Sequence, residues 1–353
     1  MTGKIELEAR AAAGETISSL DLGGADLSDA VLAGAMFVDC RFDRADVRGA
    51  NFKDSILNEC TFVGADLKGC TLRNATLSGG SFDEADLRGA DLNAARLASL
   101  SAQRSRWAES SAKVLLLSHV DLREAAFEKC HFELGSWTDT VLDGVRLEGV
   151  SFKQGVLYQL DLSRVSLTGT NLELMVLDGC NLAGQNLAEA RLPLVQFTQC
   201  NATEATFNHA DLTQASFFRA DLTGAQFHGA TLTRAVFTEA TCVDTIFKGS
   251  MMHGAQFANA HAGGAQFSNC DLQEAIFIDT EAPRCRFDHA TLTYADFTRA
   301  DVSASTFEGA HMFRTRLHGV KAEDTHWGAG RALALGDDER LRKAESFVPK
   351  SRS

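Results

Sequence analysis

Proline is scarce in this sequence, with 3 residues in 353, so proline-made turns do not shape the fold. No stretch approaches the ~18 consecutive apolar residues of a membrane-spanning helix, and the N-terminal residues lack the apolar centre of a signal peptide. Basic residues are outnumbered, 34 against 47 acidic ones, for a net charge of −13. This balance argues against direct nucleic-acid binding, which requires a basic surface. We expect a cytoplasmic protein with no membrane span.

The sequence is built on a repeat of five residues. Large apolar residues recur at every fifth position, as at Leu22 and Leu27, and the frame runs without a slip from Ile17 to Trp327. A small residue stands two positions earlier, as Ala25 does before Leu27. Neither an α-helix nor a β-strand has this period. A short extended stretch followed by a turn does, with one small and one large side chain pointing inward in each unit.

The repeated motif is a small residue, then Asp, Asn, Thr or Ser, then Leu or Phe, then two variable residues. It resembles the pentapeptide-repeat family over residues 17–327. In that family four pentapeptides form one coil of a right-handed quadrilateral parallel β-helix. The resemblance therefore implies an all-β solenoid of about 15 coils, with neighbouring strands about 4.8 Å apart. Beyond it, residues 337–345 carry acidic residues first and basic residues later, which predicts a short C-terminal α-helix.

On this interpretation, residues twenty positions apart lie on the same inner face. Two phenylalanine columns, ten residues out of phase, should then occupy opposite inner faces and provide most of the core of the C-terminal half. The first column consists of Phe207, Phe227, Phe247, Phe267, Phe287 and Phe307, and the second consists of Phe197, Phe217, Phe237, Phe257, Phe277 and Phe297.

We expect three segments along the chain. Residues 1–16, with alternating Ile5 and Leu7, form an N-terminal cap over an otherwise open sheet edge. Residues 17–327 form the β-helix, and residues 328–353 form a linker, a short helix and a tail. The repeat weakens around 94–120, where distorted coils are expected and a loop that preserves the register is the alternative.

The usual residues of catalytic and metal sites are present but not arranged for chemistry. Most of the nine cysteines take the small inward position of the repeat, as Cys40 and Cys60 do, and are expected to fill the core. No histidine pair has metal-ligand spacing with a third ligand. The carboxylates of Asp26, Asp46, Asp66 and Asp86 form a column; either each caps its own turn, or together they imitate phosphates. We predict no catalytic, cofactor-binding or metal site, and no enzyme activity.

One outward ridge breaks the polar pattern of the surface. Apolar residues recur there and at the preceding turn, which predicts a cluster on one corner over four or five coils. Soluble proteins seldom expose such a patch without a use, although β-branched residues also simply suit strands. The predicted partner-binding residues are Val114, Leu116, Leu134, Val156, Tyr158, Leu174, Val176 and Leu194.

Two functional classes are compatible with these features. The first is a protein–protein interaction scaffold or adaptor, similar to the free-standing pentapeptide-repeat proteins of bacterial type VI secretion clusters, whose partner would be a secretion component or effector. The second is a DNA mimic that protects or inhibits DNA gyrase, as the resemblance to quinolone-resistance pentapeptide proteins implies. Those proteins are shorter, and bases such as Arg44 and Arg48 interrupt the acidic residues here. We favour the first class and also expect a homodimer through a terminal coil or the C-terminal helix.

Overall fold

The computed structural model describes residues 3–346, which divide into two compact units between Gln185 and Asn186. Each unit is a parallel β-solenoid in which a residue pairs with the one twenty positions ahead. In the first unit Ile17 lies beside Phe37; in the second unit Asn186 lies beside Thr206. The all-β parallel solenoid expected from the repeat is confirmed.

Regular strands are three residues long and are concentrated in the first unit. Nine of them form one face of that unit in the order β1-β2-β3-β4-β5-β7-β9-β11-β13, and β12-β10-β8-β6 form a second face. The strands are β1 (Thr16–Ser18), β2 (Met36–Val38), β3 (Ile56–Asn58), β4 (Thr76–Ser78), β5 (Arg96–Ala98), β6 (Ser111–Lys113), β7 (Leu116–Ser118), β8 (His131–Glu133), β9 (Ser136–Thr138), β10 (Ser151–Lys153), β11 (Val156–Tyr158), β12 (Asn171–Glu173) and β13 (Val176–Asp178), with β14 (Gln196–Thr198) in the second unit.

On the other sides of the coils the extended stretch is a single residue between two turns, and it pairs with the residue twenty positions away. Counted by the regular strands of the longer face, the solenoid has about 9 turns against the 15 or so expected, and single paired residues continue the same twenty-residue step where no strand forms. Where the extended stretch shrinks to one residue, the five-residue repeat continues but no strand is formed. The short extended stretch followed by a turn, which the period of five predicted, is thus present with two different lengths.

The phenylalanine columns fill the interior of the second unit, and all twelve rings have 0% exposure. Rings of one column stack in parallel, as Phe247 does on Phe267 with centroids 5.0 Å apart. Rings of opposite columns meet edge to face, as Phe247 and Phe257 do at 5.7 Å and 86°. Both arrangements suit the quadrupole of the aromatic ring.

The stretch 94–120 is regular, and the expected distortion is wrong, as is the loop alternative. Leu97 lies beside Leu117 in the twenty-residue register. Ser105 and Ser110 occupy inward positions and are fully buried. The Trp107 indole N–H donates to the Ser105 hydroxyl at 2.6 Å, so the polar atom is satisfied inside the core.

The N-terminal segment forms a helix, α1 (Lys4–Ala12), and not an alternating strand. Leu7 is fully buried whereas Ile5 is 83% exposed. The backbone N–H of Val31 donates to a carboxylate oxygen of Glu8 at 2.9 Å. The helix therefore lies against the first coils of its own unit.

The C-terminal segment is more ordered than a linker. After a short 3₁₀ helix (Ala329–Leu333), Leu335 pairs beside Arg316 and extends the last coil. The expected short helix is present as α2 (Glu339–Glu345), which buries none of its residues. Its Glu345 carboxylate contacts His318 at 3.1 Å and Arg299 at 3.2 Å. The tail expected beyond it lies outside the described residues.

Candidate functional site

Seven of the eight predicted partner-binding residues lie on one corner of the first unit. We call this set the apolar ridge: Val114, Leu116, Leu134, Val156, Tyr158, Leu174 and Val176. Within it Val156 on β11 lies directly beside Val176 on β13. Leu116 on β7 reaches the same row through Ser136. Val114, Leu134 and Leu174 share a turn row and Leu116, Val156 and Val176 share the strand row two residues on, while Tyr158 lies in a third row at the end of β11.

Exposure is greatest at the turn positions of the ridge. Leu134 is 43% exposed and Val114 is 40% exposed. Tyr158, the last residue of β11, is 37% exposed. Leu116, Val156, Leu174 and Val176 are half-buried. Leu194, the eighth predicted residue, belongs to the second unit, where it is exposed at the same turn position of its own coil.

The backbone at this corner is left-handed, although its residues are bulky and apolar. Val114, Leu134 and Leu174 have φ values of +65°, +57° and +56°. This region favours Gly, Asn and Asp, and a β-branched or bulky residue in it is strained. Elsewhere in this unit the turn position is largely taken by glycine or polar residues, such as Glu124 in another row and Gln154 between Leu134 and Leu174. The ridge thus keeps apolar side chains where both water and backbone geometry disfavour them.

The interior beneath the ridge is tightly packed. Gly135 takes the small inward position there, where a Cβ atom would lie 2.7 Å from the carbonyl oxygen of Leu115. One coil further along, the Gly155 N–H donates to the Met175 sulfur at 3.1 Å. Because the coils approach closely, the corner that carries the ridge has little room to deform.

A row of alternating charges flanks the ridge and was not predicted from the sequence. We call it the charge ladder: Lys113, Glu133, Lys153 and Glu173. Ion pairs join Lys113 to Glu133 at 3.5 Å and Lys153 to Glu173 at 3.3 Å. A shallow depression of about 280 Å³ lies over this row and is lined by His131 as well. The side-chain charge changes sign at every twentieth residue. Comparing positions twenty residues apart in the sequence would have revealed this pattern.

The column of Asp26, Asp46, Asp66 and Asp86 caps turns, as the first of its two interpretations predicts. Each carboxylate accepts the backbone N–H two residues on, at distances of 3.1–3.3 Å. Arg48, Lys68 and Arg88 also pair with the carboxylates of their own turns. Basic side chains therefore neutralise most of this column.

Asp86 is the member of the column whose charge matters most for stability. Burial by itself would raise its pKa, but hydrogen bonds from Arg88 and the charges of Arg106 and Lys68 lower the pKa below the ordinary 3.8. Its carboxylate lies 3.2 Å from Arg106 and 3.4 Å from Lys68. The folded state therefore favours the ionised form.

We expect Asp86→Asn to lower the free energy of unfolding at pH 7 by about 1.5–3 kcal/mol, the range for hydrogen bonds to charged groups. The lowered pKa stabilises the fold above pH 3.8, the ordinary value for the carboxyl group. This stabilisation is lost as the pH falls below 3.8 and through the lower pKa of the folded state. The difference between variant and parent should therefore shrink below about pH 4 in melts recorded across pH. Asp143→Asn, at an exposed site, is the control, and a difference that persisted at acid pH would contradict this account.

The cysteines behave as core residues. All nine are buried. Burial raises the pKa of the Cys70 and Cys270 thiols to about 12, which suppresses the reactive thiolate. Within residues 3–346, no group of three or more His, Cys, Asp or Glu side chains could hold a metal ion. In the same range neither helix has the length and hydrophobicity to cross a membrane.

Comparisons with known proteins agree with this architecture. The family described as "Pentapeptide repeat region" matches residues 35–112 and 176–247. The family described as "Pentapeptide repeats (8 copies)" matches overlapping segments between residues 251 and 319. A search of curated proteins found no match.

Among solved structures, the chain is similar to HetL, a pentapeptide repeat protein involved in heterocyst differentiation regulation from the cyanobacterium Nostoc sp. strain PCC 7120. The identity is 21% over 80% of this chain and 98% of HetL, with a TM-score of 0.31. It is also similar to full-length QnrB1, a plasmid-mediated fluoroquinolone resistance protein, at 14% identity over 67% of this chain and 100% of QnrB1, with a TM-score of 0.22. The two family matches and the repeat itself identify the family. Since these matches span more than half of its length, the chain belongs to the pentapeptide-repeat family.

Proposed function

We propose that this protein is a non-enzymatic protein–protein interaction scaffold or adaptor that binds a partner through the apolar ridge. The observation that carries the proposal is the exposure of apolar side chains at this corner, 40% at Val114 and 43% at Leu134. Left-handed turns recur along the whole solenoid, as at Arg44 and Lys129, so the apolar side chains and not the backbone conformation distinguish the ridge. A contact surface accounts for their exposure.

We further propose that the partner is a component or effector of a bacterial type VI secretion system and that binding takes place in the cytoplasm. The sequence likeness to the free-standing pentapeptide-repeat proteins of such clusters supports the first point. Buried thiols such as those of Cys70 and Cys270 suit a reducing compartment. Exposed Leu333, Leu335 and Leu341 near the C-terminal helix are compatible with a homodimer formed through that segment.

The alternative, a DNA mimic that acts on gyrase, is less well supported. Its best argument is the net charge of −13, because a mimic needs a continuous negative field. Arg48, Lys68 and Arg88 interrupt the aspartate column that would provide this field. Under this alternative, changing all four aspartates of the column to asparagine would abolish inhibition in a supercoiling assay, with a strong dependence on salt.

Replacing Leu134 by asparagine should separate binding from folding. Asparagine adopts left-handed φ values more easily than leucine, so we expect stability to stay the same or to rise by up to about 1 kcal/mol. Partner binding should be lost because the apolar contact is gone. Thermal unfolding measures the first effect. Capture from a bacterial lysate on full-length protein, with identification by mass spectrometry, measures the second.

Glu124→Asn is the matched control, since Glu124 has a φ of +59° at the same turn position of another row. It should leave both capture and stability close to those of the parent. Val176→Asp, at an outward position on β13, should also keep the fold and lose the partner, because a charge would be desolvated in an apolar contact. Undiminished capture by both ridge variants would refute the proposed surface. A captured protein unrelated to secretion would refute only the type VI assignment.

A further inference from the structure

The spacing of the apolar ridge restricts the shape of the segment that can bind there. Successive coils are about 4.8 Å apart, so Leu134 and Leu174, two coils apart, are separated by about 9.6 Å along the solenoid. Side chains on one face of an α-helix recur about every 5.4 Å, and after seven residues about every 10.5 Å. Those on one face of an extended strand recur about every 6.7 Å. Tilting a helix by roughly 27° from the solenoid axis shortens the spacing of its turns along that axis from about 5.4 Å to the roughly 4.8 Å of one coil. An extended strand would need a tilt of roughly 44° to bring its spacing of about 6.7 Å to the same value.

The charge ladder has the same spacing and lies directly beside the ridge. Lys113 and Lys153 are two coils apart with Glu133 between them, so the sign reverses about every 4.8 Å. The side chains of Lys113 and Glu133 are 58% and 43% exposed, which leaves each able to pair with an incoming charge. On a helix, positions i and i+3 or i+4 are neighbours at about 5–6 Å. A helix whose acidic and basic residues alternate at that spacing would place a charge of opposite sign against each residue of the charge ladder.

We infer that the occupant of the apolar ridge is an amphipathic α-helix of a partner protein, which lies along the axis of the first unit. Its apolar stripe packs on the ridge, and alternating acidic and basic side chains on one border of that stripe pair with the charge ladder. This inference rests on the proposed function and adds the kind of partner segment. The mode is helix recognition by an apolar surface, with charges fixing register and direction.

Two displayed peptide libraries of about 24 residues test this inference, with full-length protein as the target. One has apolar residues at helical spacing (i, i+3 or i+4, i+7), and the other alternates apolar and polar residues as a strand does. Counter-selection uses the Leu134→Asn protein. We expect binders from the helical library only, at least tenfold weaker on Leu134→Asn, and helical by circular dichroism when bound. Binders from the strand library that depend on Leu134 would overturn the helix and leave the proposed surface standing. Enrichment from neither library would overturn both.

Charge reversal tests the register. In the protein, Lys113→Glu, Glu133→Lys, Lys153→Glu and Glu173→Lys are combined, which keeps opposite charges adjacent and so preserves the fold. Affinity for a selected helical peptide should fall about tenfold and recover when the peptide's own border charges are reversed. Reversal of the Glu84–Arg104 ion pair, 3.0 Å long and also in the first unit, is the control and should change nothing. Equal binding by the reversed and parent proteins would refute the role of the ladder.

Discussion

Replacing Phe247 by alanine should lower the free energy of unfolding by about 3–5 kcal/mol, the cost of deleting a buried aromatic ring and leaving a cavity. The ring has 0% exposure. It stacks between Phe227 and Phe267 at 5.1 and 5.0 Å and meets Phe257 edge to face. Both columns are therefore interrupted at once. Because each coil contacts only its neighbours, the loss should be concentrated in the adjacent coils. Chemical denaturation gives the total loss, and hydrogen exchange shows which coils open.

Phe313→Ala is the control for this change. Phe313 is 46% exposed in the same unit, so its removal leaves no cavity and should cost under about 1 kcal/mol. If the two variants lost similar stability, the stacked columns could not be the main source of stability in the second unit.

Gly80→Ala should destabilise the first unit by at least about 3 kcal/mol, since it combines backbone strain with a steric clash. Gly80 has a φ of +77°. A Cβ atom at this position would lie 1.9 Å from the backbone carbonyl oxygen of Cys60 in the preceding coil. Only movement of one coil away from the next could relieve that contact, and such movement would weaken the hydrogen bonds between them. Thermal or chemical unfolding of the purified variant measures the loss.

Gly89→Ala separates the two causes. Gly89 also has a positive φ, +67°, but a Cβ atom there meets nothing within 4 Å. Its cost should be only that of the left-handed conformation, roughly 1 kcal/mol. Equal losses in the two variants would mean that the approach of the coils at Gly80 is not limiting.

The sequence predicted most of the architecture because one rule governs nearly every coil. The five-residue frame marks the inward positions, and the twenty-residue step predicts which of them stack, as for Phe247 and Phe267. The rule failed where polar residues took inward positions: Ser105 looked like a break, yet its hydroxyl is satisfied by Trp107. It also failed at the ends, where α1 and the pairing of Leu335 depend on contacts with a coil and not on the repeat.

The candidate surface was predictable only in part. The repeat placed Val156 and Val176 outward and adjacent, as the structure has them. It did not reveal that the backbone at Leu134 is left-handed, because that depends on the turn geometry at each corner. Nor did a reading focused on apolar residues detect the charge ladder beside the ridge.

The twenty-residue register also sets a rule for changes in chain length. Inward positions recur every five residues, whereas a given face recurs only every twenty. Loss of one five-residue unit would keep every later core side chain inward but would move every later surface residue onto the neighbouring face. Such a deletion between Leu134 and Leu174 would place the two parts of the apolar ridge on different faces. Deletion of a whole twenty-residue coil would shorten the ridge but keep it on one face. Recognition therefore tolerates insertions and deletions less freely than folding does.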